Sequence, residues 1–115
     1  MLKINGTAAP APSALTVSLE DVSSAVERSA AGLAVRDYAG AKRRLKLRWA
    51  HLTAVQLSAL LQAVDAAFFD VRFPDPATGA AATVRCWCAA RSMGVLRMRD
   101  GAPVWTDIEM EWMER

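Results

Sequence analysis

The sequence holds one histidine, His51, and two cysteines, Cys86 and Cys88. Nucleophilic catalysis needs a base beside the nucleophile and a third group to orient that base. His51 stands just before a candidate helix start with no nucleophile elbow near it, and it reads as a local hydrogen-bonding residue. Zinc needs about four nitrogen or sulfur ligands at recognisable spacing. One Cys-x-Cys and a remote histidine do not supply them. Gly32, Gly40, Gly79, Gly94 and Gly101 are scattered, and none opens a glycine-rich strand-to-helix turn that would cradle phosphate. The expectation is a non-enzyme with no catalytic residue, no metal and no cofactor.

Long apolar runs are also missing. None approaches the roughly 18 residues of a membrane span. The opening Met1-Leu-Lys-Ile-Asn-Gly6 lacks the apolar stretch and cleavage site of a secretory signal. Cys86 and Cys88 sit two apart in a strand-like stretch, so their side chains point the same way, a poor geometry for a mutual disulfide. They read as small core hydrophobes in a reducing compartment.

What is present is apolar surface. Of 115 residues, 53% are hydrophobic and 23% charged, enough for one domain with a real core over residues 1–115. The formal net charge of +2 is too small to demand a nucleic-acid partner.

Most of that surface is patterned as strands. Leu2 to Ile4 is a short extended segment closed by Asn5-Gly6, a hairpin dipeptide. Pro10 and Pro12 stiffen a connector. Leu15, Val17 and Leu19 alternate with Thr16, Ser18 and Glu20, the period of a half-buried strand. From Ser23 to Gly40 the alternation dissolves into a small, polar stretch, read as a loop or a protruding hairpin that orders on another subunit through Val26, Leu33, Val35 and Tyr38. Lys42 to Trp49 is the clearest strand, with Leu45, Leu47 and Trp49 on one face and Arg44, Lys46 and Arg48 on the other.

Thr53-Ala-Val-Gln56 fits a capping box and opens the one evident helix, expected to reach about Ala67. Its apolar stripe is Leu57, Leu60, Leu61, Val64 and Phe68. Phe69, Val71 and Phe73 alternate again, Pro74 to Gly79 turns the chain, and a strand follows from about Ala81 to Ala89. Val95 to Met98 is extended, Arg99-Asp-Gly-Ala102 is a tight turn, and Val104 to Met113 is the last strand. The fold class is α+β: an antiparallel β-sandwich or incomplete β-barrel with one packed α-helix.

Two charged faces stand out. The cationic face of Arg44, Lys46 and Arg48 could contact DNA phosphates. The preferred reading is that it pairs with the anionic face of Asp107, Glu109 and Glu111, within one subunit or between two, at roughly 0.2–1 kcal/mol per cross-strand pair. Trp49 and Trp112 have core parity. Trp87 has the parity opposite to Val84, Cys86 and Cys88, so the strand is either a candidate interface or buried on both faces within one subunit.

Laid out in order, several segments carry a resemblance. They are Leu2-Lys-Ile-Asn-Gly6, Ala11-Pro-Ser-Ala-Leu-Thr-Val17, Lys42-Arg-Arg-Leu-Lys-Leu-Arg-Trp49, the helix opening at Leu52-Thr53, Phe68-Phe-Asp-Val-Arg-Phe73, Arg99-Asp-Gly101 before Trp105, and Trp112-Met-Glu-Arg115. The chain resembles small tail and baseplate proteins of siphophages and related prophages, of the tail-tube and distal-tail (hub) type. That resemblance implies a tail-tube-like domain, commonly six copies closed into a ring, and other tail proteins as axial partners. DNA would be only a passing cargo, with no membrane and no small-molecule substrate. It also implies a place in the virion after synthesis in the host cytoplasm. Distal-tail proteins usually carry an additional C-terminal domain that these residues leave no room for. The rival expectations are a small nucleic-acid-binding module using residues 42–48, and a prophage-encoded interaction protein.

Overall fold

The structure is a computed structural model that describes residues 1–28 and 34–115, with side chains at 1–20 and 41–115. Its elements are β1 (Lys3–Ile4), β2 (Thr7–Ala8), β3 (Ala14–Arg28), β4 (Ala34–Thr53), α1 (Ala54–Val64), β5 (Phe69–Asp75), β6 (Ala80–Ser92), β7 (Val95–Arg99) and β8 (Ala102–Glu114). All strand pairs are antiparallel, in the order β2-β1-β5-β6-β8-β4-β3, with β7 beside β8.

Two tight turns set the hairpin registers. Asn5 and Gly6 join β1 to β2, and Asp100 and Gly101 join β7 to β8, with φ of 51°, 80°, 52° and 77° in turn. Positive φ at both central residues is the requirement of a type I′ turn, whose twist matches that of paired strands. Asn, Asp and Gly tolerate it best.

The sheet is curled. In the strand order β4 and β5 are separated by β8 and β6, which in a flat sheet would hold them roughly 14 Å apart. Yet the Arg43 guanidinium on β4 lies 2.8 Å from the Asp75 carboxylate on β5, which requires the two strands to approach across the concave side. Of the two expected forms, this is the incomplete barrel.

Inside the curl, Leu45, Leu47 and Trp49 of β4 meet Phe69, Val71 and Phe73 of β5 and Ile108, Met110 and Trp112 of β8, all buried. The Phe69 ring stands edge-on to Trp112 with centroids 5.3 Å apart, a favourable aromatic geometry. Trp49 reaches the core edge, where its indole N–H donates to the Pro10 carbonyl at 3.0 Å. The proline-stiffened connector is thereby fastened over the core.

Helix α1 closes the concave side through Leu57, Leu60 and Val64. Its capping box forms as expected, with Gln56 N–H donating to the Thr53 hydroxyl and the Gln56 side chain accepting from Thr53 N–H. The helix ends at Val64 rather than near Ala67, because residues 65–68 reverse the chain so that Phe69 can enter the core. Leu61, expected in the apolar stripe, is only half-buried and borders a surface groove.

The larger correction concerns residues 23–40. The expected loss of strand pattern is not a loss of strands: β3 runs on to Arg28 and β4 begins at Ala34, with Ser23 opposite Tyr38 and Arg28 opposite Ala34. The register slips between Asp21 and Ser23 and again between Ser23 and Val26. These irregularities erase the clean period-two alternation on which the sequence reading relied. The hairpin alternative is the right one.

Candidate functional site

Three features of the sheet carry its chemistry. The first is the charged outer face. β4 and β8 are direct neighbours, with Lys46 opposite Glu111 and Arg48 opposite Glu109. Arg44 bridges Glu111 at 3.0 Å and Glu20 at 3.1 Å, and Arg48 bridges Asp107 at 3.1 Å. Arg44 and Arg48 therefore pair with Glu111 and Asp107 within one chain, and the option of pairing between subunits falls away for these four residues. Exposed pairs of this kind contribute little stability, about 0–1 kcal/mol each. Their effect is to neutralise the face.

The second feature was missed in the sequence. At the end of the core away from α1, Arg43, Asp75 and Glu114 take the inward positions of β4, β5 and β8. The Arg43 guanidinium holds Asp75 with Nε at 3.1 Å and Nη2 at 2.8 Å, and holds Glu114 with Nη1 at 3.0 Å. Asp75 is 2% exposed, and its other oxygen accepts from Ala77 N–H at 3.0 Å. Burial works against the Arg43 charge, but the hydrogen bonds and attraction from Asp75 and Glu114 outweigh it, so its pKa lies above the ordinary value. The signal was parity. Arg43 continues the series Leu45, Leu47, Trp49; Asp75 continues Phe69, Val71, Phe73; and Glu114 continues Ile108, Met110, Trp112.

The third feature begins where the second ends. Ladder pairing of β4 to β8 starts at Arg44 opposite Met113. Among the described residues, β4 from Ala34 to Arg43 pairs with β3 alone. The two strands leave the sheet as a ribbon, and the longest dimension of the molecule is 70 Å against 26 and 25 Å. Of the expected interface anchors, Leu33 lies outside the described residues, and so do the side chains of Val26, Val35 and Tyr38.

Trp87 is 40% exposed while Cys86 is fully buried, so the indole is the outward member of that strand. His51 is exposed on β4. Among the described residues no group of three or more His, Cys, Asp or Glu side chains is placed to hold a metal ion. A groove of about 490 Å³ runs between α1 and the β6–β8 surface, lined by Leu57, Leu61, Met93 and Trp105, with Asp65 and Arg91 4.0 Å apart at its mouth.

Both thiols are free. Burial pushes Cys86 up to about 12, with the Glu114 charge adding to the shift, and burial also raises Cys88. A thiol whose folded pKa is raised contributes stability below its unfolded pKa of 9.0 and loses it as pH climbs toward 12. Stability is thus expected to fall between pH 9 and 12 in wild type and to fall less steeply in Cys86→Ala, read by denaturant titration at each pH. Identical slopes would contradict the buried thiol. Searches against protein-family models, curated proteins and solved structures give no match to the chain.

Proposed function

We propose that the protein is a structural subunit of a bacteriophage tail, of the tube or distal-hub type, that assembles with copies of itself around the DNA channel. The observation that carries this reading is the ribbon of β3 and β4. A two-stranded ribbon is at best marginally stable in water by itself. This one extends some ten residues beyond the last β8 pairing, and at about 3.3 Å per residue that is roughly 30 Å. A ribbon so long, unsupported by the rest of its own sheet among the described residues, suits an arm laid on a neighbouring subunit. The curled sheet with one helix agrees with the architecture that the tail resemblance implies.

The outer face favours a structural role over DNA capture, since two of its three candidate phosphate contacts, Arg44 and Arg48, already hold carboxylates. Electron microscopy and native mass spectrometry of concentrated protein, with and without tail partners, are the test. Closed rings, most simply of six copies, are expected. A monomer or two-fold dimer under every condition, including within purified tails, would overturn the reading. So would steeply salt-dependent duplex binding that disappears when Arg44, Lys46 and Arg48 are replaced.

A further inference from the structure

The sheet has a second unpaired margin. β6 pairs with β5 only up to Cys86 opposite Phe69. Beyond Cys86, β6 and then β7 line one side of β8, and among the described residues no strand covers their outer side. Five of the eight large hydrophobic side chains that are exposed among the described residues lie here: Trp87, Met93, Val95, Leu96 and Met98. A long apolar edge is a template for another strand unless it is blocked, and this one has no proline or lysine to block it. It does carry charge of one sign. Residues 87–99 include Arg91, Arg97 and Arg99 and no carboxylate.

The opposite margin of the sheet is its counterpart. β3 ends the strand order and, among the described residues, pairs on one side only. Its 15 residues include Glu20, Asp21 and Glu27 against the lone cation Arg28, and Leu19 is 57% exposed upon it. The two margins are similar in length and opposite in charge.

We infer that the 87–99 margin of one copy receives the β3 margin of a second copy, continuing the sheet head to tail from subunit to subunit. Because the two surfaces are unlike, the contact is heterologous and propagates, closing to a ring if the rotation permits. The inference rests on the self-assembly proposed above and specifies the surfaces that join.

Charge reversal tests it with the full-length chain. Arg97→Glu with Arg99→Glu makes both margins acidic, and Asp21→Lys with Glu27→Lys makes both basic. By sedimentation equilibrium each variant alone is expected to self-associate at least roughly tenfold more weakly than wild type. Circular dichroism serves to verify that both fold. An equimolar mixture is expected to regain association, because every contact then joins an acidic margin to a basic one. If wild type assembles and the separate variants assemble as well, or if the mixture stays dissociated, the paired margins are wrong while self-assembly stands. If wild type never associates, the assembly reading itself fails.

Discussion

Replacing Arg43 by methionine is expected to lower the free energy of unfolding by about 3 kcal/mol, the scale for stripping one partner from a buried ion pair. Asp75 would remain enclosed, with the Ala77 N–H as the one donor to its carboxylate besides Arg43 among the described residues. Asp75→Asn keeps the shape and leaves Arg43 its bond to Glu114, so its loss is expected to be smaller. Urea titrations of the two variants beside wild type make the comparison. Equal midpoints for all three would mean that the cluster does not fasten the end of the barrel.

Gly94→Val is expected to cost about 3–5 kcal/mol, the sum of a strained left-handed backbone and overpacking. Gly94 has φ of +83°, and a β-carbon there would overlap the Thr106 carbonyl oxygen. The flanking pairs, Ser92 with Glu109 and Val95 with Thr106, put Gly94 opposite Asp107, which itself has φ of 58°. At this level the pleat changes phase. Ile108 is buried, and yet the next inward residue toward the N-terminus is Trp105 rather than Thr106; on β4 the inward series passes from Trp49 to Leu52. Gly94→Ala meets the same carbonyl with less bulk and is expected to lose less. Thermal melts ranking wild type, alanine and valine in that order would agree. A valine variant as stable as wild type would not.

These two sites bracket what the sequence made legible. Period-two runs ending in Trp49, Phe73 and Trp112 identified the core strands, because each face meets one environment throughout. Asn5-Gly6, Asp100-Gly101 and Thr53 with Gln56 were readable because each is a local chemical requirement. The phase change near Gly94 was hidden, since it depends on three strands shifting at one level. The ribbon was hidden by its slips of register and by small polar residues that give neither period. Arg43, Asp75 and Glu114 were visible as parity but not as partners, because only the curl of the sheet brings their strands together. The candidate assembly margin was half legible: parity set Trp87 apart from Val84, Cys86 and Cys88 without saying which set faces outward, and the unpaired edge follows from where β5 begins, at Phe69 opposite Cys86.

The projecting ribbon also changes how the protein will behave in a mass measurement. Its radius of gyration is 18.0 Å, whereas a compact domain of this length would have about 13 Å. The same scaling gives 18 Å to a compact chain of roughly 250 residues. A free monomer will therefore leave a gel-filtration column early, near the position of a globular protein of about twice its mass. Elution volume alone would count one copy as two. Light scattering, which weighs particles without reference to their shape, is the measurement that will count subunits correctly.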